Sequence, residues 1–220
     1  MLMRVVTAKK LEYALPAGLP LEARIPQQAR SKRRFEKILR AARTLIAKHG
    51  VLRLKMHDIA GLANVPIGSV YQYFPTRSAL IAYLFAVSLE SYHEIGRRHL
   101  GHVRTLRSCA AAMRRVVLEV YRENRADVLM QEIWRGIQAD PTIRTLHLWD
   151  NEVFTQYFFD AARRSGAPLR ERVLFNRCRL INEMWDGAIR LSITLEPKLA
   201  DELLAESIAM GLRELALTPG

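Results

Sequence analysis

One stretch of seventeen residues, "IAGLANVPIGSVYQYFP" from Ile59 to Pro75, restricts the fold more than any other part of the chain. It starts with the spacing of an amphipathic helix, then places Asn64, Pro66 and Gly68 within five residues, and ends at Pro75. Asparagine tolerates the left-handed conformation that ends a helix. Proline has no N–H to donate and a fixed φ, which suits the first turn of a new helix and not its interior. The later residues Val70, Tyr71, Tyr73 and Phe74 favour strands, but a hairpin needs a paired alternating run, and none lies nearby. Ile67, Val70, Tyr71 and Phe74 fall on one helical face, with Pro66, Ser69, Gln72 and Tyr73 on the other. The stretch therefore reads as two short helices, about Met56–Ala63 and Ile67–Phe74, joined by a tight turn.

The flanking sequence is helical on both sides. In "SKRRFEKILRAARTLIAKHG" the apolar residues Phe35, Ile38, Leu39, Ala42, Leu45 and Ile46 recur at helical spacing. Ser31 is the expected N-cap and Gly50 the expected C′ residue. Thr76 is placed to cap a fourth helix from about Arg77. Breaks near Gly101, Asn124–Asp127, Asp140–Pro141, Gly166–Pro168 and Glu196–Pro197 then delimit five further helices. The predicted class is all-α. An extended or disordered leader (1–29) precedes a three-helix unit (30–77) and a larger helical bundle (78–220).

The formal net charge of +12 is concentrated at one end. Residues 1–77 hold fifteen Lys/Arg against four acids, and residues 78–220 nineteen against eighteen. A basic module joined to a nearly neutral one points to nucleic acid or an anionic membrane as partner. No convincing signal peptide opens the chain, and its most apolar run, Ala79–Leu89, is too short to span a bilayer. Cys109 and Cys178 belong to no ligand-spaced cluster and read as reduced, buried thiols of a cytoplasmic protein. His93, His99 and His102 lie close in sequence, but no glutamate or cysteine completes a metal site with them. They default to surface histidines, and no metal or cofactor is expected. No nucleophile elbow, P-loop or dinucleotide fingerprint is present, so nothing suggests an enzyme.

A basic three-helix unit with a tight turn before its last helix is a helix-turn-helix arrangement. Over residues 33–82 it resembles the N-terminal domain of the tetracycline-repressor (TetR) family. Ile38, Leu39, Ala41, Ala42 and Gly50, then Asp58-Ile59-Ala60, Gly68-Ser69-Val70-Tyr71, Tyr73-Phe74 and Leu80 carry the resemblance. Lys55 stands where the family has Thr or Ser, and Pro66 where it has Ser. The resemblance and the helical geometry together mark a set of DNA-facing residues. Tyr71 and Tyr73 are phosphate contacts, with Tyr71 equally fit to pack its ring on the first helix. Gly68 permits close approach of the duplex. Ser69 and Gln72 are the base-edge readers, and Ile67 and Pro66 can touch a thymine methyl. Lys55 and Arg77 are placed for phosphates, Thr76 accompanies them, and Arg33 lies in a basic group that is either backbone-reaching or a solvated face.

The resemblance also implies that the bundle binds an effector and dimerises. Trp134, Trp149, Phe154, Tyr157, Phe158, Met184 and Trp185 are the pocket candidates, although plain core is the commoner account of any one of them. Arg135, His147 and Asn151 are the polar anchors considered with them. Leu203, Ser207, Ile208, Gly211 and Leu215 are the dimer candidates, although an intrachain packing face would look the same. What this implies is a cytoplasmic homodimeric repressor that binds a pseudopalindromic DNA operator. A small, largely apolar effector would release it, and no membrane partner is expected. The alternatives are an activating or ligand-independent regulator, or a non-specific DNA-packaging protein.

Overall fold

The computed structural model describes residues 23–136 and 140–217. The leader read over residues 1–29 lies mostly outside them. Nine α-helices occur among the described residues, and no strand. They are α1 (Ala29–His49), α2 (Met56–Ala63), α3 (Ile67–Tyr73), α4 (Arg77–Leu100), α5 (Leu106–Ala126), α6 (Val128–Gly136), α7 (Pro141–Arg164), α8 (Glu171–Ile193) and α9 (Pro197–Glu214). A single 3₁₀ turn, Val51–Arg53, follows α1.

The helix ends follow local chemistry. Gly50 closes α1 at φ 79°, where an L side chain is strained. Asn64 closes α2 in the left-handed region at φ 52°, ψ 56°, and the Val65 N–H reaches back to the Ala60 carbonyl. Pro66 is the N-cap residue of α3 and lies just outside the helix. The Thr76 hydroxyl oxygen accepts the Ala79 N–H at 3.0 Å, capping α4. One expectation fails. α1 starts two residues before Ser31, at Ala29, and its N-cap is Gln28 with no side-chain bond. The Lys32 N–H already bonds the Gln28 carbonyl, so the helix is under way before Ser31 can cap it.

By packing, the chain divides into two compact units. The first takes the described residues up to Glu90 together with Asp127–His147; the second takes Ser91–Ala126 and Leu148 onward. The division falls inside α4, later than the 77/78 boundary read from the sequence. In the first unit Ile38, Ile46, Ile59, Val70, Phe74 and Leu80 are fully buried. Four rings lock its helices together: Phe35 stacks on Phe74 and meets Tyr73 and Tyr83 edge-on. In the second unit Cys109, Met113, Leu174, Cys178, Leu204 and Ile208 form the core. Trp185 joins α8 to α9 by donating its indole N–H to the Ser207 carbonyl at 2.9 Å.

Candidate nucleic-acid interface

Seven residues of α3 are divided sharply by burial. Val70 is fully buried, Ser69 and Tyr73 nearly so, while Ile67, Gly68, Tyr71 and Gln72 are exposed. The exposed four span about 140° of helix circumference, a continuous outward face. Tyr71 is 50% exposed, and a Cβ added at Gly68 would meet nothing within 4 Å. Packing thus gives no reason for glycine there, and the bare backbone is open to an approaching partner.

Two of the DNA-facing candidates, Ser69 and Tyr73, are buried within the first unit. The Ser69 hydroxyl is turned inward and accepts a bond from the Arg34 guanidinium at 3.4 Å, so it is not placed to read a base. The Tyr73 ring is core, edge-on to Phe35, and its hydroxyl donates to the Ser31 carbonyl at 3.5 Å. Tyr71 takes the outward position that the sequence divided between the two tyrosines. The reason is helical phase. Val70 can share its face with Ile67 and Tyr71 or with Ser69 and Tyr73, and contact with α1 selects the second set; Phe74 leaves the helix in extended backbone and is buried with it.

The remaining candidates surround this face. Pro66 is exposed. Lys55 is the exposed N-cap residue of α2 and makes no side-chain cap; Asp58 supplies the negative charge that the first turn favours. Arg33 is exposed on α1. The Arg77 guanidinium donates to the Leu52 carbonyl at 3.1 Å, which anchors the charged head group while the side chain stays exposed. Thr76 is exposed with its hydroxyl oxygen used as the α4 cap. Arg34 belongs to the same basic group as Arg33, and Arg53 was not singled out from the sequence. Arg34 tethers α3 to α1 through Ser69, and Arg53 is an exposed cation in the 3₁₀ turn beside Leu52.

The aromatic candidates of the bundle separate into three groups. Trp149, Phe154 and Tyr157 present their edges around His93, at centroid distances of 5.2, 5.6 and 6.1 Å. Phe158 and Trp185 pack on each other in the core of the second unit, and Met184 is half-buried. Trp134 belongs to the first unit, against Phe85 and His147. Of the polar anchors, Arg135 is exposed and paired with Glu132, whereas Asn151 is buried and bonded to Glu183. His93 is the surprise. It is 2% exposed and lies 2.7 Å from Asp150, so it is neither a surface residue nor grouped with His99, whose ring bonds Glu119. Aromatic neighbours at helical spacing were the only sequence sign of this buried pair.

Most of the dimer candidates pack within the chain. Ile208 and Leu215 are fully buried within the chain, and Ser207 is 8% exposed. A Cβ on Gly211 would stand 2.6 Å from the Trp185 ring. Leu203 alone stays half-buried. The unused apolar surface lies elsewhere on the same helices: Val173, Leu180 and Leu191 line one face of α8, and Leu199 and Met210 one face of α9. Both cysteines are free and buried, as expected; burial pushes the Cys109 thiol up to about 11 and the Cys178 thiol to about 12.

Residues 38–84 match the family model described as bacterial regulatory proteins, tetR family. Solved structures share the fold. Fatty acid degradation regulator FadR from Bacillus halodurans is 14% identical, covering 86% of this chain and 97% of its own, with a TM-score of 0.63. A TetR-family regulator from Rhodococcus sp. is 19% identical, covering 82% and 99%, with a TM-score of 0.62. SmeT in complex with triclosan is 22% identical, covering 82% and 90%, with a TM-score of 0.61. No curated protein sequence matches the chain. No helix among the described residues is long and apolar enough to cross a membrane.

Proposed function

We propose that the chain is a DNA-binding regulator of the tetR family of bacterial regulatory proteins, whose model matches residues 38–84, and that it acts as a homodimeric repressor of a pseudopalindromic operator, released by a small molecule. The observation that carries this reading is the exposed face of α3. Ile67, Gly68, Tyr71 and Gln72 stand outward on a helix whose other side is tied into the core by Val70, Tyr73 and Phe74. Gln72 carries the amide that pairs bidentately with adenine, and the Tyr71 hydroxyl suits a phosphate. Lys55, Arg33 and Arg77 add cationic contacts, Pro66 an apolar one, and Thr76 holds the start of α4.

Dimerisation is supported by the apolar faces of α8 and α9 left exposed in the single chain, with Leu180 at 70% and Leu191 and Leu199 at about half. Pairing them between two copies sets two α3 helices on two half-sites. An effector is supported by the second unit's interior, where the buried His93–Asp150 pair is ringed by Trp149, Phe154 and Tyr157. SmeT is solved with triclosan; a small, largely apolar molecule is proposed here. Binding shifts the population towards a conformer whose α3 helices no longer fit the half-sites. Acting on DNA places the protein in the cytoplasm.

The test is selection of duplexes from a random library, followed by fluorescence anisotropy. An inverted repeat should emerge, and Tyr71→Ala/Gln72→Ala should lose most of the preference for it over random sequence. Native mass spectrometry should show a dimer. A strictly monomeric protein at micromolar concentration would sink the two-half-site reading.

A further inference from the structure

Helix α5 carries five arginines, Arg107, Arg114, Arg115, Arg122 and Arg125, and all five are exposed. At 100° per residue they fall within an arc of about 100°, and from first to last they run about 27 Å along the helix. Only Ala111 and the half-buried Leu118 share this arc. The helix's two acids lie off it: Glu119 is bonded to Arg98 and His99, and Glu123 is turned further away. Arg125 donates to the Tyr121 hydroxyl at 2.6 Å. Arg107, Arg114, Arg115 and Arg122 make no hydrogen bond or ion pair with any described residue.

Such a row is costly to leave unscreened, since like charges one and two turns apart on a helix repel. The opposite face explains why α5 is a helix: Cys109, Ala112, Met113, Val116 and Val117 are all buried. Nothing among the described residues explains why the outer face should be cationic throughout. This excess was hidden in the sequence, because the sum over residues 78–220 is nineteen Lys/Arg against eighteen acids.

We propose that the α5 arginine row is a second DNA-binding surface, which holds the phosphate backbone of a duplex without reading its sequence. Each guanidinium can grip a phosphate through two N–H donors. A duplex carries one charge per ~1.7 Å, so about 27 Å of it offers roughly sixteen phosphates to five cations. The row lies along one uninterrupted helix, which suits the regular charge spacing of a stiff polyanion. It exposes no large apolar side chain to insert among acyl chains, and this disfavours a lipid surface. The contact adds to operator reading by α3 and lies on different residues.

The experiment uses the full chain and a 30-base-pair duplex of random sequence, with affinity measured from low to moderate NaCl. Arg107→Gln/Arg114→Gln/Arg115→Gln/Arg122→Gln should reduce the slope of log K against log[NaCl] by about 3.6, at about 0.9 per phosphate released. The four-lysine version of the same variant should keep most of the slope. A charge-matched control, Arg144→Gln/Arg170→Gln/Arg172→Gln/Arg213→Gln, should change it by less than one. Circular dichroism and melting temperature confirm that each variant is folded. An unchanged slope in the α5 glutamine variant overturns the proposal, as does an equal loss in the control. It is also overturned if the α5 variant loses binding to phosphatidylserine vesicles while duplex binding is intact. The operator reading fails separately, if Tyr71→Ala/Gln72→Ala leaves sequence preference untouched.

Discussion

Phe35 and Phe74 stack with their ring centroids 5.0 Å apart and their planes 24° from parallel. Phe35 lies on α1 and Phe74 is the residue that closes α3, so this contact sets how α3 is carried on the first unit. Stability and DNA binding are therefore separable. Phe35→Ala should cost about 3–5 kcal/mol in urea unfolding, by deleting a ring at the centre of the cluster. Gln72→Ala, on the exposed face, should change stability by less than about 0.5 kcal/mol while weakening operator binding.

The two tyrosines make a sharper pair. Removing the Tyr71 hydroxyl with Tyr71→Phe should lower duplex affinity several-fold at unchanged stability, if that group meets a phosphate. Tyr73→Phe should leave affinity nearly unchanged. Its ring is core, and its hydroxyl makes one long bond, 3.5 Å, to the Ser31 carbonyl. Equal losses of affinity in the two variants would contradict the outward placement of Tyr71.

Substitutions on α8 and α9 should separate packing within the chain from packing between chains. Gly211→Val places a branched side chain against Trp185 and Ile181, both within 2.8 Å of the added Cβ. A destabilisation of about 1–3 kcal/mol is expected, read by denaturant midpoint. Leu180→Glu, at a site 70% exposed, should leave the subunit folded and shift its mass in native mass spectrometry from dimer to monomer.

Glu119 gives a pH dependence with a definite sign. Partial burial works to raise its carboxyl, but the bonds from His99 and Arg98 outweigh it and hold the group below its usual value of 4.5. A carboxyl lowered in the folded state contributes stability above its unfolded value, and loses it as pH falls through the folded one. Glu119→Gln should therefore cost up to about 1 kcal/mol at pH 6, and less as the pH drops below about 4.5. Urea unfolding of both proteins across this range is the measurement, and a cost that grows towards acid would contradict the assignment.

The cysteines should be silent. With thiols pushed up to about 11 and 12, almost no thiolate exists at pH 8, and both side chains are fully buried. Ellman's reagent should report no reactive thiol in the native protein and two in denaturant. Rapid native labelling would show that the second unit opens readily.

What the sequence determined by itself is the local chain. Asn64 in the left-handed region, Gly50 at positive φ, the Thr76 cap and the bounds of α2 follow from sterics and hydrogen bonding within a few residues. The family resemblance was legible for the same reason, since its motifs are turn residues and apolar spacings of one short domain. Only the tertiary structure decided which faces turn inward. A seven-residue helix such as α3 fits two phases around Val70, and packing on α1 buried Tyr73 and exposed Tyr71. The stripe from Ser207 to Leu215 was visible, but whether Trp185 or a second subunit covers it depends on a helix some twenty residues away. His93 and Asp150, 57 positions apart, meet only because α4 and α7 pack together. The arginine row of α5 was likewise written in the sequence, and it became a surface once the opposite face of that helix was buried.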